Sequence, residues 1–166
     1  KRHYLNDWKN DWAILTPKES LKDLPYWLKH GMHVVNKNEF NTFSKNLNSS
    51  KVAVAGYSSH LNQGKYITMD WGCSPIGISN NLLFHNCKGF KGDSGAPVVI
   101  ANGPSKNKIV GVTSFLRSKN IPIKELKKLI KIDPKNAPDS HGTVTIQHIR
   151  NETSNGRYRN FSISTS

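Results

Sequence analysis

Apolar residues in this chain come in short runs separated by polar turns. Trp12-Ala13-Ile14-Leu15 is the first run and stops at Pro17, as a buried strand would. Residues 18 to about 49 are polar and mixed, with scattered Leu and Val, and read as a connector with some local structure. From Lys51 the pattern changes. Val52-Ala53-Val54-Ala55-Gly56-Tyr57 is an apolar strand ending in a turn signal. Lys65 to Cys73 and Leu82 to His85 are further strand candidates. Ala96 to Ile100 and Ile109 to Phe115 are rich in β-branched residues, with Asn102-Gly103-Pro104 as the turn between them. Thr143 to Ile149 reads as a closing strand. Many short strands with Gly, Asn and Ser turns predict an antiparallel barrel or sandwich.

One stretch has helical periodicity. Ile123, Leu126, Leu129 and Ile130 share a face, while Lys124, Lys127, Lys128 and Lys131 lie mostly around the other. Pro122 suits a first turn, and Asp133-Pro134 ends the pattern. This predicts a short basic surface helix packed on its own domain. The tail from Asn151 is polar. There are no internal repeats, and the pair Asn6-Asp7-Trp8 and Asn10-Asp11-Trp12 is too short to count as one.

Composition narrows the class. A chain of 166 residues holds one domain or two small subdomains with a sizeable core. No apolar stretch is long enough to span a membrane as a helix, and the first residues do not form a signal peptide. The formal net charge of +13 would suit an anionic partner, and the densest basic stretch runs from Lys88 to Lys131. The basic residues are mostly Lys, without the Arg and aromatic interleaving of a nucleic-acid binder. A solvated Lys-rich surface is therefore the simpler reading, and nucleic acid is not the expected partner. Cys73 and Cys87 are too few for a tetrahedral metal site of their own, so no metal or cofactor is expected. One disulfide is the economical reading for an exported protein; two buried thiols are the alternative in a reducing compartment.

The strongest chemical signal is Gly92-Asp93-Ser94-Gly95-Ala96-Pro97. A serine hydroxyl attacks a carbonyl only when a base takes its proton and donors hold the oxyanion that forms. A glycine-rich loop meets the second need. Gly92 has no side chain, so its N–H can face a substrate, and the N–H of Ser94 can converge on the same point. Gly95 lets the chain turn into the strand that follows. By chance, Gly-Asp-Ser-Gly arises on the order of a few times per thousand chains of this size. Its extension into Ala96-Pro97 and an apolar strand lowers those odds.

Gly92 to Pro97 resembles the nucleophile motif of the chymotrypsin-like serine peptidases. Three other segments fall in the family's order. Asp11-Trp12-Ala13-Ile14-Leu15 resembles the segment holding the triad aspartate. Val54-Ala55-Gly56-Tyr57 resembles the opening strand of the second barrel. Val110-Gly111-Val112-Thr113-Ser114-Phe115 resembles the strand lining the S1 pocket. Cys73 and His85-Asn86-Cys87 before the nucleophile loop resemble the bacterial secreted trypsin-like and glutamyl-endopeptidase-like branch. The resemblance covers roughly residues 10–16 and 50–117.

The resemblance implies a mostly β fold: the C-terminal six-stranded antiparallel β-barrel of a double barrel, the end of the first barrel, and the short basic helix. It divides the chain into the end of the first barrel (1–20), a connector (21–49), the second barrel (50–150) and a polar tail (151–166). Ser94 becomes the nucleophile, with the backbones of Gly92 and Ser94 as the oxyanion hole. Asp11 orients the general base and is preferred over Asp7, which no apolar strand follows. Asp93 in this family can pair with the amine of a newly cut N-terminus, as in a zymogen. Lys88, Gly89, Phe90 and Lys91 form one wall and the base of the S1 pocket, with Thr113, Ser114 and Phe115 opposite. Lys88 would repel basic substrate side chains, so an acidic or polar P1 residue is favoured. Glutamyl endopeptidases carry a His where Thr113 stands, so the match to that subgroup is incomplete. A Cys73–Cys87 disulfide would brace this loop.

The general base is not found in this pattern. The seven His residues are His3, His30, His33, His60, His85, His141 and His148, and none sits in the family's Ala-His-Cys type of segment. The resemblance therefore places the catalytic His upstream of this chain, on an N-terminal part or partner fragment of the same protease. The expectation is a secreted or periplasmic serine endopeptidase acting on polypeptide substrates, this chain alone being inactive. The alternatives are a catalytically inactive homologue serving as a protein-binding module, and a binder of nucleic acid or an anionic surface through Lys88 to Lys131.

Overall fold

The computed structural model describes residues 12–17, 32–59, 62–79, 81–116 and 141–145, with 150, 151, 154 and 161–163. The fold is mostly β. The strands are β1 (Leu15–Pro17), β2 (Val52–Gly56), β3 (Thr68–Cys73), β4 (Pro75–Ser79), β5 (Leu82–His85), β6 (Pro97–Ile100), β7 (Ile109–Leu116), β8 (His141–Thr145) and β9 (Phe161–Ile163). Among the described residues, an α-helix, α1 (Lys37–Lys45), precedes β2. The predicted basic helix around 122–131 lies outside the described residues.

Seven strands form one antiparallel sheet in the order β3-β2-β6-β7-β8-β5-β4. The expected closed six-stranded barrel is not what these pairings give; the order is open, with β3 and β4 at its edges. Those two edges are consecutive in the chain and separated by Ser74 alone. The closing strand runs from His141 to Thr145, earlier than the expected Thr143 to Ile149. It joins β7 to β5 through Val112↔Val144 and Leu83↔Thr143. β1 stands outside this sheet. It pairs in parallel with β9, so the polar tail contributes a strand.

The core explains why β2, β5 and β6 carry unbroken apolar runs. Both faces of these strands are covered, so alternation is not required. Val52, Val54, Leu83, Val98, Ile100 and Val110 form the centre, with Val35 and Phe43 of the preceding segment packed on them.

Residues 32–49 of the expected connector carry local structure of their own. Asn36 caps α1: its side chain accepts from the Glu39 N–H at 2.9 Å, and the Glu39 carboxylate accepts from the Asn36 N–H at 2.9 Å. The other Glu39 oxygen takes a hydrogen bond from Lys108, at the foot of β7. Backbone bonds from Val35 to Ile109 and from Ile109 to His33, at 3.0 and 2.8 Å, fix the same junction. The helix therefore starts where β7 starts.

Candidate functional site

The loop between β5 and β6 carries Lys88 to Ala96. Its entry is stapled by a disulfide between Cys73, at the end of β3, and Cys87, with Cα atoms 4.9 Å apart. Ordered bonds continue along the same side. Asn86 N–H donates to Ser74 O at 3.1 Å, Ser74 N–H donates to Asn86 Oδ1 at 2.7 Å, and Lys88 N–H donates to Asp70 Oδ2 at 2.5 Å.

Asp93 anchors the loop from below. It is 3% exposed. A carboxylate buried to that degree needs donors, because desolvation without them is costly. Ser58 Oγ donates to its Oδ1 at 2.7 Å, and Phe90 N–H donates to its Oδ2 at 2.7 Å. Ser58 Oγ also lies 2.9 Å from Thr68 Oγ1. Gly56 makes room for this arrangement. A β-carbon there would lie 2.7 Å from Asp93 Oδ1. The glycine at the end of β2, which reads in the sequence as a turn signal, is thus required by the carboxylate behind the loop.

Above Asp93, the backbone donors divide into two sets. Asp93 N–H is bonded to Phe90 O at 3.1 Å, Gly95 N–H to Thr113 O at 2.8 Å, and Ala96 N–H to Asp93 O at 3.0 Å. Among the described residues, the amides of Gly92 and Ser94 have no acceptor. Gly92 holds φ at +105°, and a β-carbon there would stand 2.7 Å from Tyr57 O. Only glycine fits that position. The Ser94 side chain is exposed, and its hydroxyl has no described hydrogen-bond partner. Between Gly92 and Ala96 the loop thus presents a solvent-facing hydroxyl beside two alternate free N–H groups, with the amides of Asp93, Gly95 and Ala96 tied; earlier in the loop, Gly89 and Lys91 also have amides without an acceptor among the described residues.

The remaining predicted residues fall around this frame unevenly. Thr113 is joined to it directly, donating to Ala96 O at 2.9 Å and accepting from Gly95. Thr113 and Ser114 are both buried, and the Thr113 hydroxyl has no partner among the described residues. Phe115 lies in β7. Lys88, Phe90 and Lys91 are exposed and Gly89 is half-buried. Lys88 and Phe90 line a cavity of about 170 Å³ with Asp70, Asp93, Ser58 and Thr68; Thr113 and Ser114 are not part of that lining. This cavity joins Lys88 and Phe90 of the first expected wall to the Asp93 carboxylate.

Asp11 lies outside the described residues, as do His3, His30, His60 and His148. His33 is exposed near the start of β7, and His141 opens β8. His85 is 1% exposed, within β5. Sequence reasoning passed over Ser58, which holds Asp93 from 35 positions away. No signal local to Ser58 marks it; only the sheet brings it to the carboxylate.

No metal centre is indicated among the described residues. Asp70, Cys73 and Cys87 are close together, but both sulfurs are in the disulfide. No family model matches the chain, and no curated protein or solved structure matches it.

Proposed function

We propose that the chain is part of a serine endopeptidase of the chymotrypsin-like type, with Ser94 as its nucleophile. The observation that carries this reading is the division of donors in the loop. The amides of Asp93, Gly95 and Ala96 are bonded, while those of Gly92 and Ser94 are left open beside an exposed hydroxyl. An oxyanion site needs two such donors, fixed before the reaction begins.

The strand order supports the same reading. Taken as one strand bent at Ser74, β3 and β4 turn the order β3-β2-β6-β7-β8-β5-β4 into a ring of six. A ring of that size is what the resemblance implies, although β3 and β4 are not paired with each other here.

In the proposed reaction, Ser94 Oγ attacks the carbonyl carbon of a peptide bond. Its proton passes to an imidazole oriented by Asp11, both supplied from outside the described residues. The carbonyl oxygen gains the negative charge and is held by the N–H groups of Gly92 and Ser94. Collapse breaks the C–N bond, the amine leaves with the proton from the imidazole, and water hydrolyses the acyl-enzyme. Lys88, Gly89, Phe90 and Lys91, with Thr113, Ser114 and Phe115, shape the P1 site, and the exposed Lys88 favours an acidic or polar side chain there. The disulfide suits an oxidising compartment, consistent with a secreted or periplasmic enzyme.

The test is covalent labelling with a fluorophosphonate. Transfer of the phosphonyl group to Ser94, abolished in Ser94→Ala and by prior unfolding, is the expected result. A folded protein that is never labelled, in the full natural polypeptide, would point instead to the inactive, protein-binding homologue.

A further inference from the structure

The outer face of β3 carries a row that the loop chemistry does not use. Met69 and Trp71 alternate along this strand, Ile67 immediately precedes it, and Tyr57 follows the end of its partner β2. All four are 52–61% exposed. Alternation puts Ile67, Met69 and Trp71 on one face and Thr68 and Asp70 on the other. Opposite Met69 and Trp71 stand the small residues Ala55 and Ala53, and Ala53 is itself buried. Isolated apolar residues on a surface are ordinary, but a contiguous row of this size marks an interaction site.

Exposed lysines bracket the row. Lys65 precedes it, and Lys91 lies beside Tyr57 through the Ser59 N–H to Lys91 O bond at 2.8 Å. At the other end Lys51 reaches Ser74 Oγ at 2.9 Å, just past Trp71. None of these lysines is ion-paired with a described carboxylate. Asp70, the carboxylate on the strand, belongs to the opposite face and accepts from Lys88 N–H.

We propose that this face docks peripherally on an anionic lipid bilayer. Trp and Tyr settle at headgroup depth, Met and Ile enter the acyl boundary, and lysines at both ends meet the anionic headgroups. Tyr57, Ile67 and Trp71 lie outside the cavity that Met69 helps to line, and exposed side chains of this kind suit insertion into a fluid layer that needs no matching hollow. The proposal is independent of peptide hydrolysis.

Co-sedimentation with vesicles tests it. The protein is expected to bind phosphatidylcholine vesicles containing phosphatidylserine, to ignore phosphatidylcholine alone, and to release at high salt. Lys65→Ala and Lys91→Ala should each weaken binding about five-fold. Met69→Ser with Trp71→Ser should weaken it about ten-fold or more. Brominated lipid should quench wild-type fluorescence more than that of Trp71→Phe, a readout that does not depend on the serine variants folding. Absence of binding to the anionic vesicles, or binding indifferent to Met69 and Trp71, would overturn the proposal. So would a dimer in sedimentation equilibrium that Trp71→Ser dissolves, since the face would then belong to a second copy.

Discussion

Ser58 donates its hydroxyl to the buried carboxylate of Asp93, tying the end of β2 to the loop that carries Ser94. Ser58→Ala would leave the buried Asp93 carboxylate with one donor fewer. The expected cost is about 1–3 kcal/mol in denaturant unfolding. Fluorophosphonate labelling should slow further than the stability loss explains, because the Gly92 and Ser94 amides depend on the position of Asp93. Ser58→Thr, which keeps the hydroxyl, should recover most of the labelling rate. Equal labelling of Ser58→Ala and wild type would separate Asp93 anchoring from the reactivity of Ser94.

Gly92→Ala tests the loop from the other side. The substitution keeps the N–H but forces a β-carbon to 2.7 Å from Tyr57 O, at a φ of +105°. At least about 1 kcal/mol of strain is expected, relieved by rotating the Gly92 peptide away from its present direction. Labelling of Ser94 should fall by more than ten-fold, while near-UV spectra of the rest of the fold stay unchanged. Gly56→Ala makes a useful contrast. Its β-carbon meets Asp93 Oδ1 at 2.7 Å, so it should lower stability and labelling together.

These two glycines show what was legible in the chain and what was not. Gly92 could be read from the Gly-Asp-Ser-Gly string, because the chemistry of an oxyanion loop is local. Gly56 and Ser58 could not be assigned their roles, because their partner lies in a different part of the sequence and only the sheet order brings them together. The same division holds for the fold. Strands Leu82–His85 and Pro97–Ile100 were visible as unbroken apolar runs. Pro75–Ser79 was not, since Pro75 and Gly77 interrupt its pattern and its edge position tolerates them. Helix Lys37–Lys45 was hidden by its polar composition, with Phe40 and Phe43 as its apolar contacts. Its one local signal is the spacing of Asn36 and Glu39, which forms the capping box.

Replacing both cysteines tests the staple on the loop. Cys73 and Cys87 are separated by 14 positions, and opening a loop of that length is expected to cost about 3 kcal/mol. The double substitution to Ser should lower the denaturant midpoint and raise hydrogen exchange first at residues 86–91. The bonds of Ser74 to Asn86 are the neighbours expected to loosen with it. Uniform destabilisation with no local change in exchange would mean that the disulfide acts on the unfolded chain alone.

The junction of α1 with β7 provides a pH test. Glu39 is held below the ordinary glutamate value of 4.5, first by the hydrogen bond from Lys108 and then by the one from the Asn36 N–H. A carboxylate whose pKa is lowered on folding stabilises the folded state above its unfolded value. That contribution is lost as pH falls through the lower, folded value. Wild type should therefore exceed Glu39→Gln in denaturant midpoint by a constant margin above about pH 4.5. The two curves should converge below it. Gln keeps the capping geometry but removes the charge facing Lys108, so the convergence isolates the ion pair from the helix cap. The margin should shrink with added salt, because both partners reach solvent. A Glu39→Gln curve parallel to wild type throughout the acid range would show that Lys108 contributes packing rather than charge.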